Sequence, residues 1–241
     1  MAEPATEAAV NSEPAPSKPS VVVVHHLEDA RSQRVLWLLE ELNVPYEVKK
    51  YKRTPQRLAP KELFDVHPLG KSPVITVGAL TLAESGAIVE YVIKKYGDGK
   101  AEVKESGWVD NLYFTHYAEG SVQPLLVRRL VFKLLPQRVP ALVRPIIKNV
   151  MTKADSLMNA PDLKKHGDLI EAHLAKTNLW FAGGENPTSA DYMMGFTLEI
   201  LANRAPEFTG PKTMEYVKRM QARPAYQRVK LHAKLNHNHN L

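Results

Sequence analysis

Residues 21–97 alternate between β-branched runs and stretches with helical spacing. The runs VVVVHHL, YEVKKY, VITV and LTLA predict four strands, because they are β-branched or alternate between apolar and polar positions. Apolar residues three and four apart in RSQRVLWLLEELN and ESGAIVEYVIKKYG predict two helices, and a shorter helix is expected around residues 60–65. Asn43 and Pro45 should end the first helix, and Gly97 the last. The order of these elements predicts a small α/β domain.

The pattern changes after Gly97, where no further alternating β-branched run occurs and the remaining segments are typical of helices. Prolines, including Pro161, mark many of the breaks between these segments. The predicted helices have these approximate bounds: residues 105–135, 141–160, 162–177, 188–204, 211–222 and 224–235.

The predicted fold class is therefore an α/β domain followed by an all-α domain. The first covers residues 20–98 and the second residues 104–241. Residues 1–19 are rich in Ala, Pro, Glu and Ser, which predicts a disordered extension.

The composition of the chain excludes several kinds of site and partner. The chain of 241 residues has no cysteine, which excludes disulfides, thiolate metal sites and cysteine nucleophiles. The net charge of +6 permits an anionic ligand, but the basic residues are interspersed with acidic ones, so we expect no nucleic-acid partner. We expect no metal, because His25 and His26 are adjacent on a strand and point to opposite faces. No apolar run is long enough to span a bilayer and no signal layout is visible, so we expect a cytoplasmic protein with no membrane partner.

The stretch HPLGKSPVITV contains Gly-Lys-Ser, the tripeptide that ends a phosphate-binding loop. The glycine that such a loop requires further upstream is replaced by Asp65, whose charge would repel a polyphosphate. Pro73 and the β-branched run after it indicate a loop that enters a strand, whereas the phosphate motif must open a helix. A nucleotide site is therefore not predicted.

Four segments together resemble the cytosolic glutathione transferase family, closest to a fungal and bacterial branch: HHLEDARSQRVLWLLEELNVPYE, HPLGKSP, YAEGSVQPLL and NPTSADY. The resemblance runs across nearly the whole chain from about residue 21. It implies a thioredoxin-like N-terminal domain and an all-helical C-terminal domain that supplies a hydrophobic substrate pocket. It also implies a homodimer that uses glutathione as co-substrate, with no further cofactor, against a small hydrophobic electrophile.

The resemblance implies a cis peptide bond between Ser72 and Pro73, with the Ser72 backbone pairing with the cysteinyl part of glutathione as an added strand would. Lys71 would lie beside a glutathione carboxylate, and His67 could serve similarly. The alternatives are an ordinary trans proline at a strand entry and a solvated loop lysine.

Glu84 and Ser85 come at the start of the helix after the fourth strand, where both residue types are common as capping residues. By resemblance, Glu84 would bind the α-ammonium of the γ-glutamyl group, while Ser85 and the helix amides bind its carboxylate. We expect these residues to serve in capping and in ligand binding.

The sequence departs from the family pattern at the group that activates the thiol: serine-type members place a hydroxyl where this chain has Ala30, and cysteine-type members use the position of Arg31. The candidate catalytic residues are Ser32, as the nearest hydroxyl, and Arg31, as a nearby charge; backbone amides of the turn are an alternative. Ser32 could instead be a helix N-cap. The absence of cysteine leaves conjugation, or peroxide reduction with glutathione as the reductant.

Tyr113 and Tyr117 lie four residues apart, so they share a helix face that could border the substrate groove, with Tyr117 favoured; a core role is the alternative. Asp191 completes a capping box with Thr188 and should be structural. The leading functional hypothesis is a glutathione transferase. The competing hypotheses are a glutathione-binding carrier that does not catalyse, and a transferase-like interaction protein.

Overall fold

The computed structural model describes residues 21–177 and 179–234. The predicted extension of residues 1–19 lies outside the described residues, as do residues 235–241 of the predicted helical domain. The strands are β1 (Val22–Leu27), β2 (Tyr46–Tyr51), β3 (Val74–Val77) and β4 (Leu80–Ala83). Their bounds agree closely with the β-branched and alternating runs of the sequence.

These strands form one mixed sheet in the order β2-β1-β3-β4. β1 and β2 are parallel, with Val24 opposite Val48, whereas β3 pairs antiparallel with both β1 and β4. The helices of this half are α1 (Gln33–Leu42), α2 (Lys61–Phe64) and α3 (Ser85–Tyr96). Asn43 ends α1 in a left-handed conformation, with a φ of 56°, as its position before Pro45 predicted.

The part of the chain described after α3 is helical. Its α-helices are α4 (Trp108–Tyr117), α5 (Gln123–Leu134), α6 (Arg144–Ala154), α7 (Ala160–Thr177), α8 (Ser189–Arg204), α9 (Pro211–Ala222) and α10 (Pro224–Lys234). Short 3₁₀ turns lie at Glu105–Gly107, Leu135–Arg138 and Pro206–Phe208, and π-helical turns at Ala118–Val122 and Asp155–Asn159. The fold is therefore the predicted α/β half followed by a helical half.

The predicted break at Pro161 is wrong, because the helical backbone continues from α6 through a π turn into α7, which contains this proline. Pro161 lies two residues after one π turn, and Pro124 lies two residues after the other. A π turn is wider than an α turn, so it makes room for the proline ring against the preceding turn. The two π turns explain how the chain tolerates proline inside two long helical segments.

One hydrophobic core joins the two halves. Trp37 of α1 is buried and makes edge contacts with Tyr192 of α8 and Tyr226 of α10, at centroid distances of 4.7 and 5.6 Å. Arg223 forms two hydrogen bonds with the carboxylate of Glu41 at the same seam. Because α1 packs on the sheet and on α8 and α10 together, the position of the loop before α1 depends on both halves.

Candidate functional site

A cleft lies where three loops of the α/β half come together. Its lining comes from the β1–α1 loop, from the loop that leads into β3, and from the junction of β4 with α3: Arg31, His67, Leu69, Lys71, Ser72, Pro73, Ala83, Glu84 and Ser85. Arg31, His67, Lys71, Ser72, Pro73, Glu84 and Ser85 were all predicted as site residues, and the fold brings these seven together. Ser32, Tyr113 and Tyr117 do not line this cleft.

Ser72 is attached to the end of β1 through its side chain. Its hydroxyl donates to the carbonyl of His25 at 2.8 Å and accepts from the amide of Leu27 at 3.2 Å. The peptide bond between Ser72 and Pro73 is cis, which confirms that prediction. Because the side chain is held on β1, the position of this stretch at the cleft is set by the sheet.

Glu84 precedes α3 with a φ of 72° and a ψ of 119°. Positive φ values are rare for residues other than glycine and recur at functional sites. The Glu84 side chain is exposed and makes no capping hydrogen bond, so the expected capping role of Glu84 is not observed. α3 begins at Ser85, so the unpaired amides and the positive end of the helix dipole lie at the cleft wall.

Lys71 is exposed and His67 is half-buried, and both belong to the cleft lining together with Glu84. The Leu69 amide donates to Nδ1 of His67 at 3.4 Å, which is a long contact. Together with Arg31, these residues give the cleft several groups that can carry positive charge beside one carboxylate. A ligand with two carboxylates and one ammonium group matches this arrangement.

Ser32 is fully buried at the start of α1, and its Oγ lies 2.6 Å from Nδ1 of His26. It occupies the N-cap position but makes no capping hydrogen bond through its side chain. Burial, and then the charge of Lys50, lower the pKa of His26, so this contact joins two neutral groups at neutral pH. Ser32 would have to leave the buried contact to reach a thiol in the cleft, so the geometry counts against it as the thiol donor.

Arg31 reaches from the cleft lining to the helical half. Its Nη1 lies 2.7 Å from Oε2 of Glu119, a residue in the π turn between α4 and α5. The other carboxylate oxygen of Glu119 accepts from Arg34, whose side chain is fully buried. No local sequence signal indicates a role for Glu119, because its partners are more than 80 positions away.

Arg34 continues this network into the core. Its Nη2 donates to Thr197 of α8 at 2.8 Å, and its guanidinium lies 5.0 Å from the ring centre of Phe196. Burial lowers the pKa of the Arg34 guanidinium, and Glu119 opposes that effect. A buried arginine needs a carboxylate partner, so Glu119 is held in place by Arg34 independently of Arg31.

Tyr117 and Tyr113 lie on the helical half, as predicted, and their rings stack at 5.1 Å. The Tyr117 hydroxyl pairs with Nδ1 of His166 on α7, and the ring is buried. Burial and the neighbouring Tyr113 raise the pKa of Tyr117. Tyr117 therefore has a core contact, whereas 48% of Tyr113 is exposed.

A larger cavity, of about 440 Å³ against about 80 Å³ for the cleft, lies between the end of α1 and β2. Its lining includes Leu39, Val44, Pro45 and Val48, and none of the predicted site residues. The cleft remains the candidate site, because side chains of complementary charge and a helix N-terminus meet there. Among residues 21–177 and 179–234, no group of three or more metal-ligating side chains is arranged to hold a metal ion.

The similarities to known proteins agree with this architecture. A family model described as "Glutathione S-transferase, N-terminal domain" matches residues 19–94. Glutathione S-transferase 1 of Saccharomyces cerevisiae is 31% identical over 218 residues, which cover 86% of this chain and 92% of the yeast protein. Glutathione S-transferase 3 of Schizosaccharomyces pombe is 36% identical over 180 residues, which cover 74% of this chain and 73% of that protein.

Among solved structures, the glutathione transferase URE2P8 from Phanerochaete chrysosporium, crystallised with oxidized glutathione, is similar with a TM-score of 0.69 and 18% identity. The match covers 92% of this chain and 99% of that one. The sheet, the cleft and the helical half define a thioredoxin-like domain joined to an all-helical one. The chain belongs to the glutathione S-transferase family.

Proposed function

We propose that this protein is a glutathione transferase that binds glutathione in the cleft and directs its thiolate at a small electrophile. The observation that carries the proposal is the convergence of Arg31, Lys71 and Glu84 from three separate segments on one cleft. The charge of Glu84 complements the ammonium group of glutathione, that of Lys71 a carboxylate, and that of Arg31 the thiolate. Membership of the glutathione S-transferase family supports the same activity.

In the proposed complex, Glu84 binds the γ-glutamyl ammonium. Ser85 and the first amides of α3 bind the adjacent carboxylate, because an anion is favourable at a helix N-terminus. Lys71, assisted by His67, binds the glycyl carboxylate. The Ser72 backbone pairs with the cysteinyl residue. The Ser72 hydroxyl does not compete for this contact, because it is already bonded to β1.

We assign the activation of the thiol to Arg31 in place of Ser32. Arg31 lines the cleft, and a positive charge near a thiol favours the thiolate, which is the reactive form. Ser32 is engaged with His26 and buried. The first turn of α1 adds the positive end of its dipole to the same loop.

The electrophile would bind against α4, where Trp108, Leu112 and Tyr113 are large and exposed. Trp108 and Leu112 lie four residues apart and so share a helix face, and Tyr113 is adjacent to Leu112. Peroxide reduction with glutathione as the reductant is a second reaction that the same thiolate could support.

The test is a calorimetric titration with glutathione, paired with steady-state assays on an aryl halide, an isothiocyanate and an organic peroxide. We expect glutathione binding and turnover of at least one of these substrates, and Arg31→Ala should reduce turnover more than binding. Glu62→Gln, an exposed change on α2 away from the lining, is the matched control. Absence of glutathione binding by the wild type would refute the proposal.

A second candidate is a glutathione carrier that does not catalyse, which the buried contact of Ser32 favours because it removes the nearest hydroxyl from the cleft. Binding of glutathione without turnover of any of the three substrates would support this candidate.

We further propose a homodimer, because α6 has no buried side chain and exposes Ile146 and Val150. Such a helix needs a partner surface for its apolar residues. A role in detoxification and a cytoplasmic location, without a nucleic-acid or membrane partner, stay predictions. Within the described parts of the chain, no helix is long and apolar enough to cross a membrane.

A further inference from the structure

Glu119 connects the cleft with the buried core, although it lies in the helical half. One of its carboxylate oxygens lies 2.7 Å from Arg31, and the other is bonded to the buried Arg34. Arg34 is fixed in turn by Thr197 at 2.8 Å. A chain of contacts therefore runs from α8 through Arg34 and Glu119 to a side chain that lines the cleft.

The Arg31 side chain is 41% exposed and Glu119 is 28% exposed, whereas Arg34 is fully buried. A long, partly exposed arginine loses conformational freedom when it is held, so it needs a fixed anchor to keep one position. Glu119 can be that anchor because it is itself immobilised by Arg34. It also sits in a π-helical turn, a geometry that often occurs at functional sites.

The charges of the three residues matter as well. Two guanidinium groups share one carboxylate, so the cluster of Arg31, Glu119 and Arg34 keeps a net positive charge beside the cleft. If Glu119 paired with Arg31 alone, the two charges would cancel. The arrangement thus holds Arg31 without neutralising the local positive field.

We propose that Glu119 is a positioning residue for catalysis, which holds Arg31 where its guanidinium stabilises the glutathione thiolate. This inference rests on the proposed function and adds to it a dependence of the thiolate on a residue of the helical half.

The test measures the pKa of the thiol of bound glutathione, by titrating the ultraviolet absorbance of the thiolate in the binary complex of each variant. Arg31→Ala should raise this pKa by about 1 unit, which is about a tenfold loss of thiolate at a fixed pH below the pKa. Glu119→Gln should raise it by a similar amount, because Arg31 loses its anchor. In the double variant the pKa should equal that of Arg31→Ala, because the two changes act through one group.

Two other roles for Glu119 give different results. If Glu119 acted only through its charge, Glu119→Gln would remove a negative charge near the thiol and lower the pKa. If it only paired Arg34, Glu119→Gln would lower the melting temperature equally in both Arg31 backgrounds and leave the thiol pKa unchanged. Either result would overturn the inference.

Glu207→Gln is the matched control, because Glu207 also pairs with an arginine, Arg129, but away from the cleft lining. It should leave the thiol pKa unchanged. If Glu119→Gln does not fold, Glu119→Asp keeps the charge for Arg34 and withdraws the carboxylate from Arg31, so it should still raise the thiol pKa. An Arg31→Ala protein that binds glutathione with a wild-type thiol pKa would refute the inference and leave the binding proposal intact, whereas a wild type without glutathione binding would refute the proposed function.

Discussion

Glu84 is the acidic residue among the side chains that line the cleft, and its carboxylate is exposed. It makes no capping hydrogen bond, although it precedes α3. Its positive φ places an ordinary side chain in a backbone region that usually favours glycine. This backbone conformation, with no capping contact to the helix, supports the proposed contact between Glu84 and glutathione.

Glu84→Gln should weaken glutathione binding about tenfold, which corresponds to about 1.4 kcal/mol, because a charge-assisted contact to the ammonium becomes a neutral one. Calorimetric titration measures this loss. A glutathione analogue that lacks the γ-glutamyl amino group should bind the variant and the wild type equally.

Glu90→Gln is the control for this prediction, since Glu90 is exposed on the same helix but does not line the cleft. Equal loss of binding in the two variants would show that only the overall charge matters and would contradict a specific role for Glu84.

Single residues of the site were predictable where a local motif fixed them, and not where the partner is distant. Ser72 and Pro73 could be placed at a binding site because the local motif HPLGKSP resembles that of the glutathione transferases. Ser32 and Arg31 are neighbours in one loop, and the sequence alone does not tell which of them faces the cleft. That choice depends on His26 and Glu119, which contact them only after the sheet and the two halves have packed.

The start of α8 is held by a buried carboxylate, that of Asp191. Thr188 and Asp191 form the predicted capping box at its start. Asp191 is fully buried and accepts from the amides of Thr188 and Phe181 and from the hydroxyl of Tyr216. The carboxylate thus holds the start of α8, the segment before it, and α9 together.

Burial raises the pKa of Asp191 to about 6 from its ordinary value of 3.8, although its hydrogen bonds oppose the rise. Between these values the folded state binds a proton that the unfolded state does not, so the contribution of Asp191 to stability is greatest at low pH and falls as the pH rises to about 6. The free energy of unfolding of the wild type, relative to that of Asp191→Asn, should fall by up to about 3 kcal/mol over this window.

Urea unfolding of both proteins across this pH range measures the difference. The comparison with Asp191→Asn is needed because three histidines also titrate in this range. Burial lowers the pKa of His25, His26 and His166, so their contribution to the free energy of unfolding decreases as the pH falls, which is opposite to that of Asp191. A difference that stays flat or rises with pH would contradict the prediction.

The elements that could be predicted are those with a local sequence signal. β2, β3 and β4 follow from local alternation or β-branching, which is a property of a few adjacent residues. The break expected at Pro161 failed because the effect of a proline depends on the turn before it, and the π turn that accommodates it has no comparable local signal. The π turn that carries Glu119 likewise has no local sequence signal.

For the whole molecule, the seam between the halves is built from contacts that no sequence pattern reveals. Arg223, which lies between α9 and α10, pairs with Glu41 of α1, and Arg228 of α10 pairs with Glu40, more than 180 positions earlier in the chain. These ion pairs, together with the buried Trp37, hold α1 against the helical half, and Arg31 lies in the loop that leads into α1. The site is thus a product of the whole fold, even though the residues that line the cleft all belong to the first half.

The exposed apolar face of α5 and α6, which we call the α5–α6 face, is the other feature at this scale. Its large exposed side chains are Val127, Val131, Leu134, Ile146 and Val150. A monomer gains little from folding α6, because none of its side chains is buried and its apolar side chains stay in water. The proposed homodimer would cover this face.

Changing Ile146 and Val150 together to lysine should therefore convert the dimer to a monomer. Burying each apolar side chain at an interface contributes about 1.5 kcal/mol or more, so the double change should weaken dimerisation by about 100-fold or more, with a further cost for burying the lysines. Sedimentation velocity at several concentrations measures the shift.

Leu231→Lys is the matched control, because Leu231 on α10 is 61% exposed and Ile146 is 65% exposed. The variant should still bind glutathione, since the cleft lining contains neither residue. A wild type that sediments as a monomer would contradict the homodimer, and a double variant that stays dimeric would place the interface on another face.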